Sequence, residues 1–174
     1  AYIDLWDPNG NHGGEYWVRV RQTNIQKALV RFDDLMDRIP AGAQVTSAML
    51  SLTSHAPTNA QWQEVKVAPV LTDWVEGQVT WNQAALGMPW TTPGGDYGDA
   101  VDAVVVDTPD ERYTWDVTEI VQDWVDGVHP NYGFALFSDT QKGSVQYRFW
   151  GHDWPSPPAD PNAYPALVIE YYLP

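Results

Sequence analysis

Apolar and polar positions alternate with a period of two along most of this chain, the pattern of half-buried β-strands. Ala28, Val30 and Phe32 fall on one side of Lys27–Phe32, and Ala48, Leu50 and Leu52 on one side of Val45–Thr53. Val145, Tyr147 and Phe149 alternate with Gln146, Arg148 and Trp150. Further strands are predicted at Glu64–Val67, Val101–Val106, Tyr113–Trp115 and Gly133–Ser138. The last strand, Ala166–Leu173, carries bulk on both faces and is expected to be central or covered. The core is expected to hold Val30, Phe32, Leu50, Leu52, Trp115, Trp124, Leu136, Phe149 and Ile169.

Turn chemistry separates these runs: Asp7-Pro8-Asn9-Gly10-Asn11, Ile39-Pro40-Ala41-Gly42, Pro93-Gly94-Gly95 and Pro155–Pro165. Many short strands at such spacing form a sandwich or a barrel, and the long helices that a parallel α/β sheet needs between strands are missing. One helix is signalled over Asp116–Val125. Asp116 and Glu119 have capping-box spacing, Ile120, Val121, Trp124 and Val125 share a face, and Gly127 is a natural stop. A single helical turn over Thr72–Gly77 echoes it, and the two are expected to cap the sandwich ends.

Composition narrows the function. The 174 residues suit one domain, 1–174, and the net charge of −14 leaves only nine Lys and Arg. That excludes the basic surface of a nucleic-acid binder and argues against anionic membranes. No apolar run approaches the length of a membrane span, so no membrane insertion is expected. With no Cys, thiol catalysis is excluded. The acidic balance and the start at Ala1 rather than Met read as a mature secreted protein, extracellular or at the cell surface.

Catalytic constellations are not visible. There is no Gly-x-Ser-x-Gly elbow. His12, His55, His129 and His152 lack zinc-site spacing, and carboxylates such as Asp73, Glu76, Asp107 and Asp123 single out no acid–base pair. The chain is therefore read as no enzyme. Asp7, Asn9 and Asn11 have the spacing of the first three oxygen ligands of a calcium loop, but His12 and Val18 stand at its sixth and twelfth positions, so an Asx-rich turn competes with calcium. Asp153, Asp160 and Asn162 form a second oxygen-rich loop of the same kind. With 10 Trp, both core and surface can be supplied. Trp74, Trp81, Trp115 and Trp124 sit in patterned elements and read as core. Trp62, Trp90, Trp150, Trp154 and Tyr164 lie in or beside loops, where binding and packing are both open.

Several stretches in order resemble the DNRLRE domain: KALVRFD at Lys27–Asp33, IPAGAQVTSAMLSL at Ile39–Leu52 and LTDWVEGQVTWN at Leu71–Asn82. WDVTEIVQDWV at Trp115–Val125, NYGFAL at Asn131–Leu136 and YRF at Tyr147–Phe149 continue the likeness, which runs from Tyr2 to Tyr171. The resemblance implies an all-β, antiparallel sandwich of jelly-roll type in secreted proteins. It implies similarity to a carbohydrate-binding module family that binds acidic polysaccharides such as alginate. It also places the first strand, around Tyr2, Ile3, Leu5 and Trp6, and the last, with Leu167, Ile169 and Tyr171, at sheet margins.

Two functions follow as expectations. One is a structural protein that self-associates into a filament or matrix, its marginal strands completing a neighbour's sheet and its loop aromatics anchoring the contact. The other is a carbohydrate-binding module in which Trp90 or Trp154 stacks on a sugar. With a charge of −14, neutral glycans are expected to bind better than uronates unless Ca²⁺ bridges.

Overall fold

The computed structural model describes residues 1–59, 61–139, 145–152 and 163–174. Its strands are β1 (Tyr2–Asp4), β2 (Trp17–Arg21), β3 (Gln26–Val30), β4 (Gln44–Thr53), β5 (Gln63–Pro69), β6 (Gln83–Ala85), β7 (Met88–Pro89), β8 (Asp102–Val106), β9 (Arg112–Asp116), β10 (Phe134–Phe137), β11 (Gln146–Trp150) and β12 (Ala166–Tyr172). Two short helices join them, α1 (Leu35–Arg38) and α2 (Thr118–Val125). One antiparallel sheet runs β11-β2-β3-β10-β5-β8, with β1 added to β3, and a second runs β12-β4-β9. The architecture is the all-β sandwich that the alternation predicts.

The sheets face each other across a core whose pieces come from the period-two faces. Val18, Val20, Ala28, Val30, Val65, Val67, Phe134, Leu136, Tyr147 and Phe149 point inward from the larger sheet, and Ala48, Leu50, Leu52 and Trp115 from the smaller. Trp115 is fully buried and donates its Nε1–H to the Val65 carbonyl at 2.8 Å, so the two sheets are hydrogen-bonded through the core. On one side Asp102 Oδ2 accepts the Asp116 N–H and ties β8 to β9. On the other a bridge between Ser54 and Phe149 ties the end of β4 to β11. Of the expected core, Phe32 and Ile169 are only partly buried and pack against its margin.

The larger sheet is covered on its outer face as well. All five residues of β3 are buried. Leu29 and Ala135 face outward and are sealed by Ile3, Val70, Trp74, Val79, Trp81, Ala84 and Trp90, a second apolar cluster carried by β1 and the 70–97 segment. Lys27 points into this cover. Its ammonium donates to the Gly94 carbonyl at 2.8 Å and to Tyr97 Oη at 2.7 Å, and it lies 4.9 Å from the Trp81 ring centroid. Gly94 has φ +99°, and a Cβ there would meet the Trp81 ring at 2.7 Å, so only glycine brings its carbonyl to Lys27.

Four expectations need correction. Strand β2 falls outside the predicted strands although Trp17-Val-Arg-Val-Arg21 alternates. Residues Thr72–Gly77 make no helix: an isolated turn closes from Val75 to Val79, and the segment is held flat by the outer cluster. Helix α2 starts later than Asp116 because the Asp116 N–H is already taken by Asp102, which leaves Glu119 nothing to reach back to. Asp116 still serves the helix, accepting the Thr118 N–H at 2.9 Å, and the Thr118 bonds hold its carboxyl below the usual range. Finally, β12 is the edge of the smaller sheet, neither central nor covered, with Val168 and Tyr172 exposed on its outward side.

Burial lowers the Lys27 ammonium from its ordinary 10.5 to about 8. Between these values the folded protein has released a proton that the unfolded chain still holds, so stability rises with pH from 8 toward 10 and is flat below 8. The rise is at most about 3 kcal/mol. Above pH 10 Tyr2 and Tyr97, whose hydroxyls burial keeps protonated, work in the opposite direction. Denaturant unfolding at pH 7.5, 8.5 and 9.5 should show the rise in the native protein and lose it in Lys27→Met.

Candidate functional site

The outer cover stops at β3. Beyond it, the outward positions of β2 and β11 are half-buried except for the buried Gln146, and antiparallel register sets them opposite one another. Trp17 faces Trp150, Arg19 faces Arg148 and Arg21 faces Gln146. Residue alternation puts all six on one face, as a short ladder of aromatic, cationic and mixed rungs.

At one end the Trp17 and Trp150 rings lie 4.3 Å apart, tilted by 44°. His55, delivered by the extension of β4 along β11, stacks on Trp17 at 4.5 Å with the planes 8° apart. Its Nδ1 lies 3.5 Å from Asp110 Oδ1, an ion pair only when the imidazole is protonated. At the other end Arg21 lies over the Trp6 ring, 4.6 Å from its centroid, and Trp6 is 64% exposed. Burial pulls the Arg21 guanidinium below its ordinary value, against the pull of Asp4, and it remains a cation at neutral pH.

The middle rung opposes like charges, an arrangement that destabilises a sheet unless something neutralises it. Arg19 is neutralised from within. It pairs with Glu15 and lies over the Tyr2 ring at 4.8 Å. Tyr2 Oη donates to Glu15 at 2.8 Å, and His12 Nδ1 lies 2.8 Å away. A carboxylate only accepts, so His12 Nδ1 carries the proton. Burial pushes the Glu15 carboxyl up, but the bonds from Tyr2 and His12 and the Arg19 charge outweigh it and hold it below its ordinary value. Glu15 is thus a fixed anion that positions Arg19. Arg148 has no such counterpart: among the described residues its guanidinium has no hydrogen-bond or ionic partner, and its Nε is a buried, unmatched donor.

The aromatics singled out from sequence are not brought together. Trp150 joins the face just described. Trp90 is buried at 4% exposure and donates its Nε1–H to the Thr80 carbonyl at 2.9 Å, so it is part of the outer cluster and presents nothing to a ligand. Trp62 is half exposed before β5, and the Tyr164 ring lies 5.9 Å from that of His152. Trp154, with Asp153, Asp160 and Asn162, lies outside the described residues. The terminal strands both lie at margins. Tyr2 and Ile3 are buried, and β1 has β3 as its one strand partner among the described residues, so its other edge is a sheet margin. Leu5 and Trp6 are exposed after it, and Leu167, Ile169 and Tyr171 lie on an edge strand.

Asp7, Asn9 and Asn11 fasten the first loop to the 76–82 segment. Asn11 Nδ2 donates to the Glu76 and Val79 carbonyls, Asn9 Oδ1 accepts from Asn82, and Asp7 lies 3.5 Å from His12. Among the described residues no group of three His, Asp or Glu gathers where it could hold a metal ion. What sequence reading missed is the arginine set. Alternation in Trp17–Arg21 was the available signal, because it places Trp17, Arg19 and Arg21 on one side of any strand they form.

Aromatic rings and guanidinium groups on the outer face of a β-sandwich sheet are groups that can stack on sugar rings and pair with carboxylates. The chain matches the model of carbohydrate-binding module family 96 over residues 1–154 and belongs to that family. No match to a curated protein accompanies this one. Modules of this kind are generally non-catalytic and usually extracellular, and among the described residues no helix is long and apolar enough to cross a membrane.

The two tryptophan roles separate in stability. Trp90→Ala should destabilise the domain by about 3–5 kcal/mol, as loss of a packed, hydrogen-bonded indole does. Trp6→Ala should cost about 1 kcal/mol or less. Urea unfolding of the two variants checks the difference.

Proposed function

We propose that this chain is a non-catalytic, secreted carbohydrate-binding module that grips an acidic polysaccharide across β2 and β11. The observation that carries the reading is the Arg19–Arg148 rung between the Trp17–Trp150 and Arg21–Gln146 rungs, with Arg148 unpartnered among the described residues. A carboxylate of a uronate residue is planar and accepts two parallel N–H bonds from a guanidinium, so it supplies the charge that the rung lacks. The apolar C–H face of the same or a neighbouring sugar ring suits the Trp17–Trp150 end. The reading replaces the expectation that neutral glycans are preferred. Net charge describes the whole surface, whereas three of the nine basic residues are concentrated on this one face.

The family supports carbohydrate binding and lends no support to a filament. Self-association rests on β1 and β12, each of which has a second edge with no strand partner among the described residues. Light scattering at high concentration, with and without Ca²⁺, tests it: a monomer throughout rules it out.

Arg148→Ala should weaken binding to alginate or polygalacturonate by about ten- to a hundredfold, the value of a charge-assisted bond. It should leave the unfolding midpoint unchanged or raised, because it removes a like-charge opposition. Titration calorimetry in Ca²⁺-free buffer, beside thermal unfolding, reads both. Affinity of the native protein should fall as salt rises. Binding that survives Arg148→Ala, or that ignores salt, rejects the arginine face.

A further inference from the structure

The half-exposed Trp62 lies in a setting whose chemistry differs from that of the arginine face. It sits one position before Gln63, the first residue of β5, and Gln63 pairs with Val106 of β8. The backbone there is fixed. Gln63 is fully buried and its amide donates to the Val20 carbonyl at 3.1 Å, while the Trp62 carbonyl accepts from Gln22 at 3.3 Å. The indole therefore stays at the surface, 51% exposed, instead of folding into the core. Beside it Val105, on the outward side of β8, is 50% exposed. Trp62, Val105, Gln61 and Asp107 line one open concavity of about 670 Å³.

Its polar groups are acceptors and amides. Asp107 Oδ1 is held by the Thr108 and Tyr113 hydroxyls at 3.0 and 3.2 Å. Oδ2 has no partner among the described residues, and neither has the Gln61 side-chain amide. Among the described residues no Lys or Arg lines the concavity. A uronate or sulfated sugar would meet a carboxylate here with no cation among those lining residues to offset it. A neutral pyranose meets what it needs: a rigid aromatic plane for its C–H face, a carboxylate oxygen for its hydroxyls and an amide for either sign of hydrogen bond.

We propose that Trp62, with Val105, Gln61 and Asp107, is a second glycan subsite that takes a neutral polysaccharide. The module then carries two sugar-contacting faces of opposite preference, and can bridge an acidic and a neutral polymer of one matrix. The subsite does not depend on the arginine face being correct.

The test uses the intact protein and two soluble neutral probes, a mixed-linkage β-glucan and a galactomannan, beside alginate. Affinity electrophoresis and calorimetry should show binding to at least one neutral probe. Trp62→Ala should weaken that binding at least tenfold and Asp107→Ala at least threefold, with alginate binding unchanged. Arg148→Ala should do the reverse. Saturating alginate should leave neutral binding in place. Circular dichroism and unfolding midpoints close to native confirm that the variants fold, and Trp62→Phe should restore part of the binding. Lack of retardation by either neutral probe, or neutral binding that survives Trp62→Ala, overturns the subsite. Loss of both ligands in Trp62→Ala also overturns it, since that describes one continuous site. Loss of alginate binding alone in the native protein would reject the arginine face and leave this subsite standing.

Discussion

The double burial of β3 is the constraint on which the rest of the domain depends. A strand in a sandwich ordinarily shows one face to the core and one to water, yet all five residues of β3 are buried. Ala28 and Val30 face the sandwich core, and Lys27 and Leu29 face the layer formed by β1 and the 70–97 segment. That layer explains the use of so many large rings. Trp74, Trp81 and Trp90 cover the outer face of β3 and β10, and each supplies much area from one backbone position. Lys27 is held in the layer by a carbonyl, a phenol and two rings rather than by a carboxylate, which is why burial lowers its affinity for a proton.

The position of that layer also decides which part of the larger sheet keeps an accessible outer face. It ends at β3, so β2 and β11 keep an accessible outer face beside a rigid, doubly packed neighbour. The face is not optimised for stability. Arg19 opposes Arg148, and only one of the two has a counter-charge among the described residues. Glu15, charged because Tyr2, His12 and Arg19 all favour its anionic form, settles one side of that opposition and leaves the other unmatched among the described residues. A surface with a net charge of −14 repels an anionic polymer at long range, but screening limits that repulsion to about 10 Å at ordinary salt. Within that distance the local guanidinium groups dominate.

Sequence reading located the elements through alternation and recovered eight strands close to their observed bounds, along with α2 and the core status of Trp74, Trp81, Trp115 and Trp124. It failed where local pattern and tertiary context disagree. Asp116 and Glu119 have capping-box spacing, but β8 supplies a partner for the Asp116 N–H first. Trp90 sits in a loop, and loops are usually exposed, yet this one is folded down as a lid over β3 and β10. Ala166–Leu173 has bulk on both sides as a central strand would, but the smaller sheet ends there.

The sequence by itself determined the class of fold, the content of the core and the absence of thiol chemistry, because the first two follow from the period of side-chain direction along a strand and the last from composition. It also determined that Trp17, Arg19 and Arg21 share a side, as do Gln146, Arg148 and Trp150. Only the tertiary structure decided that these two sets face the same way on adjacent strands, with His55 stacked beside them. Register between strands far apart in the chain depends on which partners close the sandwich, and no local pattern carries that information. The same holds for Trp62, whose exposure follows from the burial of Gln63 against β2 and not from any property of the indole.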